Sequence, residues 1–288
     1  SMSTVSLSLF IDISGDGCLQ YAENKKQWSP AHTFVPIPHL NRIFQFFMLG
    51  LALLLPALPI SAYAGNEEDG TGNDCVVLLH GLARTSASMG KLAEVLREQG
   101  YRVINIDYPS RDKPIEELAA GAVQEGVDRC RETRPARIHF VTHSLGGILV
   151  RVYLRDRKIE ELGRVVMLAP PNQGSRVVDE FSRIPGYELL NGPAGFQLGT
   201  GRDSVPHRLG PANFEVGIIA GDRSVNPILS TAFNEPNDGK VAVEDTKLAG
   251  MKDFQVVHHS HTFIMQSDEV IRQVLSFLKN GSFRETDN

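Results

Sequence analysis

The chain has 288 residues, of which 42% are hydrophobic and 22% are charged, as in ordinary globular proteins that bury a sizeable core. A net charge of −5, with no run of lysine or arginine, argues against nucleic acid as a partner. Three cysteines are too few for a disulfide-based scaffold and too scattered along the sequence for a zinc site.

The first part of the chain carries the features of a secretory signal peptide. An apolar run at 43–60 follows Arg42 and is followed by an A-Y-A sequence that ends at Ala64. Two prolines near the end of the run disfavour a membrane-spanning helix. We therefore predict an N-terminal extension and signal peptide at 1–64, cleavage after Ala64, and export to the periplasm or the medium. A retained membrane anchor is the alternative.

Cleavage after Ala64 would leave Cys75 and Cys130 in an oxidising compartment. Cys75 opens a predicted strand and Cys130 closes a predicted helix, so both could lie at the same end of a parallel sheet. They form either one disulfide or two buried or unpaired thiols, and the sequence does not decide between these alternatives.

From Cys75 onward, short apolar runs rich in β-branched residues alternate with longer helical stretches. Nearly all-apolar runs of about six residues suit strands buried on both faces. Such strands are predicted at 75–81, 101–109, 137–144, 163–171 and 214–222, and helices at 86–99, 114–131, 145–155 and 268–279. Pro114 fits the first turn of its helix. The alternation predicts one α/β domain at 65–288, with a mostly parallel central sheet and helices on both faces.

Residues 172–213 interrupt this alternation. They are rich in glycine and proline and carry isolated apolar residues, so we expect an irregular insert. A long insert in a compact α/β domain often covers an active site, which makes 172–213 a candidate cap or lid. A surface excursion without a function is the alternative.

One short motif carries the chemistry. The sequence Thr-His-Ser-Leu-Gly-Gly at 142–147 follows one predicted strand and opens the next predicted helix. A serine on such a sharp strand-to-helix turn exposes its hydroxyl above the sheet, so Ser144 is a candidate nucleophile. The crowded turn demands small residues two positions before and after the serine. Gly146 meets this demand, whereas Thr142 stands in place of the usual glycine.

The chain from Cys75 onward resembles the α/β-hydrolase family and, within it, the bacterial lipases and esterases. The resemblance rests on the serine motif, on the H-G-L sequence that ends at Leu82, and on the A-P-P-N-Q-G-S sequence at 169–175. It implies an α/β-hydrolase fold with Ser144 as the nucleophile. It also implies that the backbone N–H groups of Leu82 and Leu145 form the oxyanion hole.

The same resemblance implies an acid and then a histidine further along the chain. The N-D-G-K-V sequence around Asp238 matches the lipase element that supplies the acid, and Asp222 at the end of the preceding strand is the rival. We predict His261 as the base, 23 residues after Asp238 and close to the lipase spacing. His259 is the second candidate, and His258 should still belong to a strand and be structural.

No metal and no cofactor are implied. The histidines near position 260 lack i,i+4 spacing on a helix, and no cysteine or carboxylate joins them at ligand spacing. Some related lipases bind calcium through an aspartate two residues after the catalytic histidine, where this chain has Phe263. No glycine-rich phosphate loop or dinucleotide fingerprint occurs.

These features predict a serine hydrolase, a lipase or carboxylesterase, that cleaves a small-molecule or lipid ester and could make transient contact with a lipid surface. A thioesterase or acyltransferase is the first alternative, because the acyl-enzyme does not record the source of its acyl group. A non-catalytic binding protein or lipase-folding partner of the same fold is the second. The preferred acyl-chain length does not follow from the sequence.

Overall fold

The computed structural model of the protein describes residues 73–284. The predicted N-terminal extension, the signal peptide and the cleavage after Ala64 lie outside the described residues. Within residues 73–284, no helix has both the length and the apolar character needed to cross a membrane.

The centre of the structure is a sheet of six parallel strands in the order β2-β1-β3-β4-β5-β6. The strands are β1 (Asp74–Leu79), β2 (Arg102–Ile106), β3 (Arg137–His143), β4 (Leu162–Leu168), β5 (Val216–Gly221) and β6 (Asp253–Val257). The β-branched and leucine side chains of β1, β2, β3 and β5 are buried on both faces of the sheet, as a parallel sheet requires, whereas Val256 on the edge strand β6 is 43% exposed. The predicted parallel sheet is confirmed, with every neighbouring pair of strands parallel.

Helices cover both faces of this sheet. The helices are α1 (Gly90–Glu98), α2 (Ile115–Leu118), α3 (Gln124–Arg131), α4 (Leu145–Asp156), α5 (Arg176–Phe181), α6 (Tyr187–Phe196), α7 (Val205–Arg208), α8 (Pro227–Ser230), α9 (Val243–Thr246) and α10 (Asp268–Asn280). Short 3-10 turns at Ser86–Met89 and Ile264–Gln266 add to them, and a π-helical turn at Ala119–Val123 joins α2 to α3.

Strand β1 shows how the core divides into two layers. Val77 and Leu79 pack in one hydrophobic cluster with side chains of α2, α3 and α4, whereas Val76 and Leu78 pack in a second cluster with α1 and α10. Alternate residues of a strand point to opposite faces, so one apolar strand serves both layers. The prediction of helices on both faces is confirmed.

The topology brings the functional loops to one edge. The connection after β1 leads to β2 on one side, and the connection after β3 leads to β4 on the other side, so the strand order reverses between the adjacent strands β1 and β3. In open parallel sheets, ligands bind beside the carboxyl ends of the strands at such a reversal. The loop that begins at His80 follows β1, and Ser144 follows β3, so both lie at this edge.

Cys75 and Cys130 form a disulfide, with their Cα atoms 5.8 Å apart. It joins the start of β1 to the end of α3, so of the two alternatives left by the sequence the structure contains the disulfide. The bond lies at the amino-terminal edge of the sheet, opposite the edge that carries Ser144.

The helix predicted at 114–131 is confirmed as a continuous helical stretch from Ile115 to Arg131, in which a π-helical turn lies between α2 and α3. Pro114 is its N-cap rather than a residue of the first turn. The expectation of an irregular insert at 172–213 was wrong in part, because α5, α6 and α7 form within the segment and are joined by turns and loops. Glycine and proline inside α6 hid this helix from the sequence pattern: Gly192 takes φ 61°, ψ −173°, and the helix kinks there.

Arg151, on α4, holds the two ends of the 172–213 segment together. Its buried guanidinium donates to the carbonyl oxygen of Asn172 at 3.1 Å and to the Asn172 Oδ1 at 3.0 Å. It also donates to the carbonyl oxygens of Pro206 at 3.3 Å and Gly210 at 2.8 Å. We refer to this guanidinium with its four acceptors as the Arg151 clamp.

Candidate active site

Ser144 occupies a strained turn between β3 and α4. Its backbone has φ 52° and ψ −119°, a positive-φ conformation that residues other than glycine rarely adopt and that costs about 1–3 kcal/mol. The Ser144 N–H donates to the carbonyl oxygen of Leu168 at 2.9 Å, which anchors the turn to the end of β4. The predicted sharp strand-to-helix turn is therefore present.

The residues around the turn explain why the motif needs glycine. A Cβ atom on Gly146 would lie 2.6 Å from the carbonyl oxygen of Leu79, a backbone contact that cannot be relieved by a rotamer change. A Cβ on Gly147 would lie 3.2 Å from the Oγ1 of Thr142. The branched Thr142 is fully buried, and it fits because Gly147 leaves room opposite its hydroxyl.

Ser144, His261 and Asp238 form a continuous hydrogen-bonded chain. The Ser144 hydroxyl lies 3.0 Å from His261 Nε2, and His261 Nδ1 lies 2.7 Å from Asp238 Oδ2. An ionised carboxylate only accepts, so the Nδ1 of a neutral His261 carries the hydrogen and its Nε2 is left to accept from the serine. All three side chains are buried or nearly so.

The loop around Asp238 fixes the orientation of its carboxylate. The Asp238 Oδ1 accepts hydrogen bonds from the backbone N–H groups of Lys240 at 2.9 Å and Val241 at 2.8 Å. The Asp238 carbonyl oxygen accepts from the N–H of His261 at 3.0 Å. Gly239, with φ 95°, makes the tight turn between Asp238 and these donors. The carboxylate therefore has one oxygen bound to the backbone and one free to bind His261.

The rival residues have other partners. Asp222 hydrogen-bonds to Nδ1 of His258 at 2.9 Å, and the His258 side chain is mostly exposed. His258 comes just after the last residue of β6, so the expectation that it belongs to the strand was wrong. His259 Nε2 lies 2.8 Å from the hydroxyl of Ser267. None of these three hydrogen-bonds to Ser144.

The N–H groups of Leu82 and Leu145 lie on the loops that follow β1 and β3. Neither N–H donates a hydrogen bond to any residue in the described range 73–284. Leu145 is the first residue of the 12-residue helix α4, whose amino-terminal dipole end is positive. Beside Leu82, the residue Ala83 takes φ 54°, and its N–H donates to the Ser110 hydroxyl at 3.0 Å, which fixes the first loop.

Three further buried histidines support the site and the sheet without reaching Ser144. His143 lies against His261, with its Nε2 2.9 Å from the His261 carbonyl oxygen. His80 stacks on Tyr108 and hydrogen-bonds to the backbone through both ring nitrogens. His139 lies beside Asp74 at the opposite end of the sheet. Burial lowers the pKa of all three, most strongly that of His143, and keeps them neutral.

A cavity of about 330 Å³ opens beside Ser144 and His261. More than half of its lining residues come from the 172–213 segment, and these are mainly apolar; they include Val178, Phe181 and Leu198. Two cationic residues, Arg84 and Lys240, also line it. Their sequence neighbourhoods gave no signal for this role, because Arg84 and Lys240 are more than 150 positions apart and meet only in the fold.

Among residues 73–284, no cluster of three histidine, cysteine, aspartate or glutamate side chains is arranged to hold a metal ion. The Ser144 hydroxyl has His261 Nε2 as its hydrogen-bond partner, and the Asp238 carboxylate binds the other nitrogen of the same ring. The arrangement is therefore suited to proton transfer at the Ser144 hydroxyl.

The sequence model of the alpha/beta hydrolase family matches residues 76–265 of this chain. No curated protein sequence is similar enough to this chain to count as a match. Three similar solved structures are the mature lipase BlEst2 of Bacillus licheniformis, a metagenomic carboxyl esterase and the phospholipase PlaB of Legionella pneumophila.

The lipase is 20% identical, with a TM-score of 0.52 over 72% of this chain and 89% of its own. The carboxyl esterase is 21% identical, with a TM-score of 0.53 over 67% of this chain and 66% of its own. The phospholipase is 19% identical, with a TM-score of 0.51 over 60% of this chain and 45% of its own. At these identities the likeness extends to the fold alone.

Proposed function

The chain belongs to the alpha/beta hydrolase family, and we propose that it is a serine hydrolase that cleaves carboxylic esters with Ser144 as the nucleophile. One observation carries the proposal: the hydrogen-bonded chain from Ser144 through His261 to Asp238, at the edge of an apolar cavity. A serine hydroxyl, a histidine that can accept its proton and a carboxylate that orients the histidine are the three parts that acyl transfer needs.

In the first half-reaction, Ser144 Oγ bonds to the ester carbonyl carbon while its proton passes to His261 Nε2. The carbonyl π pair moves to oxygen and gives a tetrahedral oxyanion. The Asp238 carboxylate stabilises the imidazolium across the 2.7 Å hydrogen bond. Collapse of the intermediate breaks the bond to the alcohol oxygen, which takes the proton from His261 and leaves an acyl-enzyme.

In the second half-reaction, a water molecule replaces the alcohol. His261 Nε2 takes one proton from the water as its oxygen bonds to the acyl carbon. The second oxyanion collapses, Ser144 Oγ leaves, and His261 returns the proton to it. The products are one carboxylic acid and one alcohol, and the enzyme recovers its starting protonation state.

The oxyanion would be stabilised by the backbone N–H groups of Leu82 and Leu145. Neither N–H donates to another described residue, so both are available to a bound oxygen. The positive end of α4 adds to this stabilisation. The loss of one such donor in an oxyanion hole costs roughly 100- to 1,000-fold in kcat.

The substrate would be a lipid or other apolar ester, with the 172–213 segment acting as a cap over the acyl chain. The segment supplies most of the apolar lining of the cavity. Its outer surface and the neighbouring α8 also leave apolar side chains in solvent: Leu189 is 82% exposed, Ile228 68% and Leu190 63%. Exposed apolar side chains around a cavity mouth favour transient contact with a lipid surface.

We test the proposal with purified 65–288 protein on p-nitrophenyl esters of rising acyl length, with Ser144→Ala as the matched control. A fluorophosphonate probe should label the wild type and not Ser144→Ala. The wild type should hydrolyse the esters, and its optimum chain length should report the depth of the apolar cavity. Labelling of Ser144 without hydrolysis of any ester would direct the search to thioesters, and absence of both would refute the proposal.

Export of the protein is a second part of the proposal. It is supported by the disulfide between Cys75 and Cys130, because disulfides persist mainly in oxidising compartments. Expression of the full chain in a bacterium, followed by fractionation and N-terminal sequencing, tests it. The expected product is a periplasmic or extracellular chain that begins at Gly65, and a cytoplasmic full-length chain with free thiols would contradict it.

A further inference from the structure

The cavity beside Ser144 holds two positive charges and no negative one. Arg84 and Lys240 both line it, and none of the described residues that line it is an aspartate or a glutamate. Neither cationic side chain forms an ion pair or a hydrogen bond with any residue between 73 and 284. Arg151, by contrast, is buried with four oxygen acceptors around its guanidinium.

The backbone on which Arg84 is carried is fixed on both sides. On one side the Ala83 N–H donates to the Ser110 hydroxyl at 3.0 Å, and on the other the Ser86 N–H donates to Asp107 Oδ1 at 2.8 Å. Ala83 keeps a positive φ of 54° between them. The loop therefore holds a strained conformation that presents Arg84 to the cavity.

Lys240 is fixed equally well. Its N–H donates to Asp238 Oδ1 at 2.9 Å, and its carbonyl oxygen accepts from the Ser175 hydroxyl at 2.6 Å. These bonds place the residue between the acid that holds His261 and the first residues of the 172–213 segment. The backbone of Lys240 is thus held in the same loop that orients the His261 imidazole.

Two carboxylates on the loops that carry these cations already have other partners. Asp238 is bound through Oδ2 to His261 and through Oδ1 to two backbone N–H groups. Asp107 binds the Ser86 N–H and lies 3.6 Å from His80 Nε2. Neither comes within ion-pair distance of Arg84 or Lys240.

Two like charges in a partly desolvated cavity destabilise each other. Burial lowers the pKa of the Lys240 ammonium, and the charge of Arg84 lowers it further, while Asp238 opposes the shift. Burial also lowers the pKa of Arg84. A bound anion would offset this repulsion, because it would give both cations a negative partner that no cavity-lining residue provides.

We propose that the substrate is a carboxylic ester that carries an anionic group, a phosphate or a carboxylate, held by Arg84 and Lys240 beside Ser144. The planar guanidinium of Arg84 suits bidentate binding of such a group, and Lys240 acts as a point charge. The apolar wall from the 172–213 segment then takes the hydrocarbon chain. This inference rests on the proposed ester hydrolase function and narrows its substrate class.

The test compares two matched pairs of esters, because the anion could lie on the acyl side or on the alcohol side. The first pair is p-nitrophenyl hydrogen glutarate and its neutral methyl ester, read by release of nitrophenol. The second is octanoyl glycerol 3-phosphate and monooctanoyl glycerol, read by release of octanoate. For each pair we measure the ratio of kcat/KM for the anionic ester to kcat/KM for the neutral one.

The wild type should prefer the anionic ester in at least one pair, by about tenfold or more. That ratio should fall about tenfold in Arg84→Gln and in Lys240→Gln, as expected for loss of one charge-assisted hydrogen bond. Arg97→Gln, an exposed arginine outside the cavity, is the matched control and should keep the wild-type ratio.

A ratio near one for both pairs in the wild type, or a ratio that survives either substitution in the cavity, would overturn the inference. The pair that shows the preference tells the two sources of the anion apart. Failure of the proposed function gives a different result: the wild type would then hydrolyse neither member of either pair, and Ser144 would not react with a fluorophosphonate.

Discussion

Replacement of Arg151 tests whether a buried cation without a carboxylate partner can be a stabilising clamp. Arg151→Lys keeps the charge, but a single ammonium on a shorter reach cannot serve both Asn172 and the Pro206–Gly210 side. Arg151→Met keeps most of the apolar stem and removes every donor. Arg155→Lys is the matched control, because Arg155 lies one turn further along α4, is exposed and pairs only with the adjacent Asp156.

The magnitude follows from the four hydrogen bonds. Three of them lie in a buried environment, and the fourth, to Gly210, is partly buried. An acceptor left buried without a donor costs about 1–3 kcal/mol, so Arg151→Met should lower the free energy of unfolding by about 3 kcal/mol or more. Arg151→Lys should lose about half of that. For a domain of this size, about 3 kcal/mol corresponds to a fall in Tm of roughly 6–12 °C.

Removal of the buried charge acts in the opposite direction, because the guanidinium no longer has to be desolvated. The four acceptors are neutral carbonyl and amide oxygens, and burial lowers the pKa of Arg151 to about 10. Urea denaturation followed by far-ultraviolet circular dichroism measures the balance, since the single tryptophan, Trp28, lies outside the described residues. If Arg151→Met is as stable as Arg155→Lys, desolvation outweighs the four hydrogen bonds and the clamp is not a stabilising device.

Three further predictions concern the disulfide, the serine turn and pH. Replacement of Cys75 and Cys130 by serine opens a loop with a sequence separation of 55 and should lower the free energy of unfolding by about 4 kcal/mol, because the unfolded chain gains conformational entropy. The urea midpoint should fall accordingly, and an unchanged midpoint would contradict this explanation. Gly146→Ala should reduce kcat/KM on a p-nitrophenyl ester about 100-fold, because its methyl group meets a backbone carbonyl at 2.6 Å. Gly147→Ala, which meets only side chains at 3.2–3.3 Å, should cost less than about tenfold, and equal losses would refute the steric explanation. The three buried histidines with lowered pKa, His80, His139 and His143, stay neutral in the folded protein and bind protons when it unfolds below about pH 6.5. The free energy of unfolding should therefore be highest above about pH 6.5 and fall below it, by up to about 1.4 kcal/mol per pH unit for each histidine. Urea titrations between pH 7 and pH 5 measure this slope, and a flat profile would count against neutral buried histidines.

The sequence predicted the sheet because burial on both faces leaves a simple pattern. The runs around Val77 and Ile218 are apolar at nearly every position, and each ends at a glycine or a polar turn. The Ser144 turn was predictable for a similar reason, because the turn has no room for a side chain at position 146 and the motif has a glycine there. Local rules decide both features, so one sequence suffices to predict them.

The 172–213 segment was harder to predict because tertiary contacts override its local propensity. Gly192 sits inside α6 in a conformation that residues other than glycine rarely adopt, and a side chain there would overlap the backbone carbonyl of Arg111. A glycine next to a proline normally marks a loop. Here Gly192 allows the kinked helix α6 to approach the chain between β2 and α2. The need for glycine at this position comes from that contact between distant parts of the sequence, so the local sequence does not reveal it.

The choice of the histidine near position 260 could be made only in part from the sequence. Spacing from Asp238 favoured His261, but three histidines within four positions shared similar local sequence. What distinguishes them in the structure is geometry at the end of β6: His258 points to solvent beside Asp222, His259 reaches Ser267, and only His261 has its ring between Ser144 and Asp238.

Arg84 and Lys240 could not have been predicted, and the physical reason bears on substrate recognition. A cation on a loop is usually solvated or paired, so its residue type alone carries almost no information. Both residues become informative because the fold places them in one cavity, where neither forms an ion pair with another described residue. Charge in an active site is costly unless a ligand compensates it. The two cations are therefore the feature from which the substrate of this hydrolase should be sought.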